Sequence, residues 1–284
     1  MEPAYTDERR SMNIGLVVRP NNDDATSVAR KIAAGAEDRG LLTQLVDEHA
    51  EATLDRCDVV IAIGGDGTVL KAAQEAVRHA APILGVNVGR VGFLADAEPS
   101  DIDLVLDLVR SGTWTESSRM TVAAAIDGGP KHWGLNDVVV EKTRSQQLVS
   151  LEVHIEGDRF LTYRADGLVF SAPTGSTAYN LSAGGPIVDS SLNALIVTPV
   201  APYSRFSSSL VLPPTARIEC VVTHDQPAGV TVDGRDLGVV EPGQCVSIDR
   251  GRHSVRFIDL DKHPYIQTVK SKLRLYEGLD GDSF

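Results

Sequence analysis

Cysteine is scarce, with three residues (Cys57, Cys220 and Cys245) in a chain of 284. The count is odd and no CxxC pair occurs, so neither a disulfide framework nor a cysteine-built zinc site is expected. Cys57 leads into one apolar run and Cys220 lies in another, which marks both as small core residues rather than nucleophiles. The seven histidines, at positions 49, 79, 132, 154, 224, 253 and 263, are too dispersed for HExxH or a related ligand spacing. Long hydrophobic runs are missing as well. Stretches such as 59–63 and 194–198 fall far below the roughly 20 residues that a membrane-spanning helix needs. The opening MEPAYTDERR has no apolar signal region, so the expected location is the cytoplasm. Positive charge is in the minority: 27 Lys and Arg against 39 Asp and Glu give a net charge of -12. Nucleic acid and anionic membranes are repelled by such a surface and are not expected partners. A small anionic ligand stays compatible, because local backbone donors and a few arginines outweigh a distant net charge. With 42% hydrophobic and 23% charged residues, disorder and collagen-like composition are excluded. The length suits one large domain or two medium ones.

What is present changes period along the chain. Residues 14–18, 41–46, 59–63 and 83–88 read as short strands. Between them, Val28, Ile32 and Ala36, then Leu70, Ala73 and Val77, recur at helical spacing. Gly40 closes the first helix and Pro82 stops the second. Ser100 and Asp103 read as a capping box, with Asp in place of Glu or Gln, ahead of a helix carrying Ile102, Val105, Leu106 and Val109 and ended by Gly112. Strand–helix alternation implies a parallel sheet covered on both faces. Beyond about residue 116 the period becomes two: Val149, Leu151, Val153 and Ile155 alternate with polar residues. Hairpin turns are expected at Gly157-Asp158 and Asp233-Gly234, a loop at 127–130, and further short strands at 218–222, 230–232, 246–248 and 255–258. The expected fold is an α/β domain with a parallel sheet over 12–115, then a mostly antiparallel β domain over 116–265. The ends, 1–11 and 279–284, are expected to be loose.

Three segments carry chemistry. A strand runs directly into Gly64-Gly65-Asp66-Gly67-Thr68 and then a helix. Three glycines let backbone N–H groups approach a phosphate. A carboxylate there makes sense if Asp66 works beside a phosphate, as base or through Mg²⁺; the other reading is a tight turn with a helix-capping Asp. The loop is neither a Walker A motif nor GxGxxG. The second segment runs from Asp166 through Pro173-Thr-Gly-Ser-Thr-Ala-Tyr179 to Ser182-Ala-Gly-Gly-Pro186, a turn dense in glycine and hydroxyls that suits a flat or polyanionic ligand with sugar hydroxyls. Ser176 is not in a GxSxG elbow, so it is not read as a hydrolase nucleophile. The third is Asn136-Asp137 before the apolar run 138–140. The pair either terminates a hairpin or offers an amide and a carboxylate to a vicinal diol.

Together, and in this order with Gly89-Arg-Val-Gly-Phe-Leu94 between the first and third, these segments resemble the NAD kinase family. The GGDGT turn is shared with phosphofructokinases and lipid kinases; the Asp166–Gly185 block is far more specific. The resemblance implies transfer of a phosphoryl group from ATP, or polyphosphate, to the 2′-hydroxyl of the adenosine ribose of NAD, with Mg²⁺ or another divalent cation accompanying the donor. It implies that Asp66 accepts the proton and that Gly64, Gly65, Gly67 and Thr68 form the phosphate loop. Gly67 also adjoins the NAD, Lys71 lies near phosphate, and Phe93 lines the adenine side. Asn136 and Asp137 hold a ribose diol. Arg164 and Asp166 flank the second nucleotide-contacting strand. Thr177, Ala178, Tyr179, Asn180, Leu181 and Ser182 wrap the NAD, with Ala201 beside it. A return of the C-terminal segment, 266–284, to the α/β domain is implied too, as is a homo-oligomer, dimer or tetramer, assembled through the β domain.

The chain departs from the family pattern in places. Asn136-Asp137 stands where Asn-Glu is usual, one methylene shorter. Asp233-Gly234-Arg235 stands where Asp-Gly-Gln is common, and Arg235 joins the NAD set as a phosphate partner or points away. Pro202-Tyr203 and Ser208-Ser209 replace Pro-His and Arg-Pro, and no role is carried to Tyr203, Ser208 or Ser209. Two other functions remain open: a lipid kinase of the diacylglycerol or sphingosine type, and a non-catalytic dinucleotide sensor.

Overall fold

The structure, a computed structural model, describes residues 11–46, 56–89, 92–203, 206–224, 226–260 and 265–273. Arg90 and Val91 of the Gly89–Leu94 motif lie outside the described residues, as do the ends at 1–10 and 274–284. The chain divides into two compact units, Met1–Ser117 with Arg256–Phe284, and Ser118–Val255.

The first unit begins β1 (Asn13–Val18), α1 (Asp23–Glu37), β2 (Leu42–Val46), β3 (Val59–Gly64), α2 (Asp66–Arg78) and β4 (Ile83–Asn87), followed by a 3₁₀ turn at Pro99–Asp101 and α3 (Ile102–Ser111). Its strands are parallel in the order β2-β1-β3-β4. Every residue of β3 is buried, which explains its unbroken apolar sequence. The Asn22 side chain caps α1 by accepting from the Ala25 amide at 2.8 Å. At the other end Gly40 takes φ +69°, and the Leu41 amide reaches back to the Ala36 carbonyl. α2 buries Thr68, Val69, Ala72, Ala73 and Ala76, a face turned one residue from the expected Leu70, Ala73 and Val77. Small side chains, not the bulkier Leu70 and Val77, meet the sheet. The capping box before α3 is formed by Glu98 and Asp101, not Ser100 and Asp103. Asp103 instead pairs with Arg39, as does Asp107. Burial of Val105, Leu106 and Val109 holds α3 down, at about 1.5–3 kcal/mol per side chain.

After α3 come β5 (Thr115–Ile126), β6 (His132–Gly134), β7 (Asp137–Lys142), β8 (Val149–Ile155), β9 (Asp158–Ala165) and β10 (Gly167–Ser171). A 3₁₀ turn at Thr174–Thr177 and the short α4 (Tyr179–Ser182) follow. Then come β11 (Leu195–Val200), β12 (Leu210–Leu212), β13 (Ile218–Thr223), β14 (Ala228–Val232), β15 (Arg235–Val240), β16 (Cys245–Asp259) and α5 (Tyr265–Lys272). In the second unit one antiparallel sheet runs β12-β11-β10-β7-β14-β15. Another joins β16, β13, β8 and β9, with β5 pairing both β16 and β6. One apolar cluster, including Val138, Phe170, Leu151 and Val246, draws on both sheets. A parallel α/β part followed by a mostly antiparallel β part is therefore the observed fold class.

The strands expected at 246–248 and 255–258 are one continuous strand, β16. Its Gly251 is required by packing, since a Cβ there would overlap Thr121 Oγ1. The first hairpin turns at Glu156-Gly157 (φ +54° and +85°), one residue before the expected Gly157-Asp158; the second turns at Asp233-Gly234 as expected. Residues 256–273 belong to the first unit, where Phe257 pairs in parallel with Ile83 on β4. Cys57 and Cys220 are buried, and burial pushes both thiols up, Cys57 to about 12, so neither is a thiolate at neutral pH. Among the described residues no helix is long and apolar enough to cross a membrane.

Candidate active site

In the first unit the chain passes from β1 through α1 to β2 on one side, then returns to place β3 on the other side of β1. The C-terminal ends of β1 and β3 thus lie at a reversal of strand order, where open parallel sheets bind ligands. The glycine bend sits at that point. Gly64 is the last residue of β3, Gly65 caps α2, and Asp66 is the first helical residue. A Cβ on Gly64 would overlap Thr68 Oγ1, so packing excludes any larger residue. No side chain caps the helix, which sets aside the helix-capping reading of Asp66. Its carboxylate reaches instead to a distant loop: Oδ2 accepts from the Phe93 amide and Oδ1 from the Leu94 amide, both at 2.9 Å. Gly92 leaves room for this, since a Cβ there would overlap the carboxylate. A carboxylate has about four acceptor sites, so lone pairs remain on both oxygens. Lys71 lies on an exposed part of α2, and Lys272 of α5 places its ammonium 5.5 Å from the centre of the Phe93 ring.

In the second unit, Asn136 and Asp137 do not end a hairpin. β6 pairs with β5, whereas β7 pairs with β10 and β14. The two residues lead the chain from one sheet into the other. Asp137 is buried, and its carboxyl is raised to about 7 by that burial and by the nearby Asp233 charge. Asn136 Oδ1 is buried with no hydrogen-bond partner among the described residues. Asp233, which the sequence places in a turn and at the Asp of the Asp-Gly-Gln pattern without a role, accepts from the amides of Leu135, Asn136 and Asp137 at 2.7, 2.8 and 3.2 Å.

Asp166 links β9 to β10 and pairs with Lys142 of β7 at 2.5 Å, a partner the sequence reading missed. Tyr179 is partly exposed. Desolvation, with the negative charges of Glu141, Asp166 and Asp137, raises its hydroxyl. Arg164 lies on β9, where its carbonyl accepts from the Tyr203 amide at 2.7 Å. Thr177, Ala178, Leu181 and Ser182 line the short turns beside Tyr179 and keep some exposure. Asn180 differs from them. It is wholly buried, donates to the Ser176 and Pro186 carbonyls at 2.9 Å, and accepts from Thr198 Oγ1 at 2.6 Å. Its side chain fastens the run to β11. Ala201 is exposed and takes φ +44°. Arg235 donates to the Trp133 carbonyl at 2.9 Å, so one arm of its guanidinium is already engaged.

Residues 43–113 match the family model for the ATP-NAD kinase N-terminal domain, and residues 135–260 that for the ATP-NAD kinase C-terminal domain. The NAD kinase of Heliobacterium modesticaldum is 34% identical over 278 residues, covering 92% of this chain and 98% of that one. This chain belongs to the NAD kinase family. The NAD kinase of Syntrophotalea carbinolica is 35% identical over 279 residues (92% and 97% covered), and NAD kinase 2 of Streptomyces coelicolor 38% over 237 residues (82% and 79%). Among solved structures, the yeast NADH kinase complexed with NADH has a TM-score of 0.84 at 20% identity, covering 98% of this chain and 90% of that one. An NAD kinase from Archaeoglobus fulgidus in complex with ATP has a TM-score of 0.77 at 24% identity, covering 93% and 99%. These two likenesses establish the NAD kinase fold.

Proposed function

We propose that this chain is an NAD kinase that transfers the terminal phosphoryl group of ATP to the 2′-oxygen of the adenosine ribose of NAD, giving NADP. The carrying observation is Asp66: a carboxylate at the sheet's reversal point, fixed by two loop amides, with lone pairs left on both oxygens. A ribose hydroxyl has a high pKa, so a positioned carboxylate takes its proton late in the transfer. Phosphoryl transfer passes through a loose transition state, so alignment and charge neutralisation supply most of the acceleration. The bend at Gly64, Gly65, Gly67 and Thr68 presents helix N-terminal amides to phosphate, and Lys71 stands one turn further on. Asn136 and Asp137 take the ribose diol. Arg164, Asp166, Tyr179 and the residues beside it, with Ala201 and Arg235, contact the dinucleotide, and Phe93 meets the adenine. Asn180 supports that run from within.

Among the described residues no group of three or more His, Cys, Asp or Glu is placed to hold a metal ion. A divalent cation arrives on the donor phosphates, where it neutralises charge. Polyphosphate as a second donor, a cytoplasmic setting and assembly as a homo-oligomer through the second unit belong to the same reading. The family matches disfavour the lipid-kinase alternative. The test incubates the chain with NAD, Mg²⁺ and either ATP or polyphosphate, with diacylglycerol and sphingosine as parallel acceptors. NADP formation, read by an NADP-specific dehydrogenase, is expected. Calorimetric binding of NAD without product would establish the non-catalytic sensor instead.

A further inference from the structure

The least expected feature of the second unit is the bonding of Asp233. It occupies the first position of the tight turn between β14 and β15, at φ +48° with Gly234 at φ +72°. A turn carboxylate ordinarily faces water or its own loop. This one is half-buried and bonded to three consecutive amides where the chain passes from β6 into β7, ninety-six to ninety-eight residues away in sequence. Its own amide donates to the Asp137 carbonyl at 3.0 Å, continuing the β14–β7 ladder by one step. Gly134 makes the approach possible, since a Cβ there would stand 2.7 Å from Asp233 Oδ1.

The segment is gripped from its other side as well. The Asn136 carbonyl accepts from the Ala172 amide at 2.9 Å and from Ser171 Oγ at 3.1 Å, and a Cβ on Gly175 would overlap that carbonyl. Between these two holds, the side-chain oxygen of Asn136, Oδ1, is buried and has no hydrogen-bond partner among the described residues. An acceptor so placed is matched to a hydroxyl donor that arrives with a ligand. Charge does not explain the pairing, because Asp233 makes ionisation of Asp137 harder. Geometry does. With the short Asp137 in the diol pair, reach depends on where the backbone is set, and three charge-assisted hydrogen bonds set it.

We propose that Asp233 is a positioning residue for NAD: its carboxylate fixes the backbone of residues 135–137 so that Asn136 and Asp137 present their side chains to the ribose hydroxyls. This rests on the reading of Asn136 and Asp137 as the diol pair. The effect is selective. It concerns the dinucleotide and neither the phosphoryl donor nor the proton acceptor at Asp66.

The experiment is steady-state kinetics of the full chain with NAD and ATP varied separately, for Asp233→Asn, Gly134→Ala, Asn136→Ala and the double variant Asp233→Asn/Asn136→Ala. Asp233→Asn is expected to raise the KM for NAD at least tenfold, with kcat and the KM for ATP within threefold. Gly134→Ala removes no hydrogen-bonding group but displaces the carboxylate, and it is expected to show the same NAD-selective rise; it also serves if Asp233→Asn does not fold. Because Asp233 acts through Asn136 and Asp137, the double variant is expected to exceed Asn136→Ala alone by clearly less than the factor that Asp233→Asn shows in the parent. The inference is overturned if a folded Asp233→Asn or Gly134→Ala keeps the NAD KM within twofold. A parallel loss in both KM values and kcat, or full additivity in the double variant, overturns it equally. Should Asn136→Ala leave the NAD KM unchanged, the diol reading falls and this inference with it. Should Asn136→Ala raise that KM while Asp233→Asn does not, only the positioning role fails.

Discussion

Asp66 in the first unit and Asp233 in the second are built alike and situated differently. Each is a carboxylate next to a glycine bend, bonded to backbone amides far along the chain, with a glycine (Gly92 or Gly134) cleared from its flank. Asp66 is half-buried at the open end of a parallel sheet and has lone pairs to offer. Asp233, also half-buried, spends its oxygens on three amides: desolvation raises it, while those amides and Arg235 act against that rise. The same device therefore orients a reactive group in one place and a piece of backbone in the other. A carboxylate bonded to amides is not thereby structural; what counts is whether an oxygen still faces the ligand side.

The largest expected effect separates the two. Asp66→Asn removes the proton acceptor and is expected to lower kcat about 10²–10⁴-fold, the range for a lost general base. NAD affinity, measured by calorimetry, stays within a few-fold. Near-normal turnover would show that Asp66, like Asp233, only holds backbone. Next in size is Gly92→Ala, which intrudes on the Asp66 carboxylate without touching its chemistry. A displacement of about 1 Å at a reacting group costs on the order of 100-fold, so kcat is expected to fall by roughly that factor while the KM for NAD moves little. A drop in NAD affinity instead would give Gly92 the part assigned to Gly134.

The third effect is on stability, and it follows pH. The Asp137 carboxyl sits at about 7 in the folded chain, against 3.8 for an ordinary aspartate, so the folded state binds its proton more tightly than the unfolded one. The stability this confers is complete below about pH 4 and is lost as pH rises through 7. Asp137→Asn removes that loss. Its melting temperature is expected to exceed that of the parent at pH 8 by several degrees, with the gap closing toward pH 4. A gap independent of pH would mean that Asp137 is not the titrating group.

Much of the fold was legible because period encodes burial. The change from 3.6 to 2 near residue 116 tracks the change from helix-covered sheet to antiparallel sheets, and the unbroken apolar run of β3 reflects strands buried on both faces. Local signals misled where a distant partner decided the outcome. Asp103 fits a capping box by spacing, but Arg39 takes it; the interruption at 249–254 separates two expected strands, but β16 runs through it. Alanines hid the phase of α2, since they carry little hydrophobic signal yet lie against the sheet. At the candidate site the motif residues could be read, while what holds them could not. Nothing near Asp233 in sequence announces bonds to residues 135–137, and Lys142 and Lys272 lie outside every motif.

The pairing of Phe257 with Ile83 bears on how the chain comes off the ribosome. The outer edge of β4 is met by residues made some 170 positions later, and the segment at 135–137 likewise waits for Asp233. The first unit is not finished until the last tenth of the protein has emerged, and until Phe257 arrives β4 offers an open strand border to any other chain nearby.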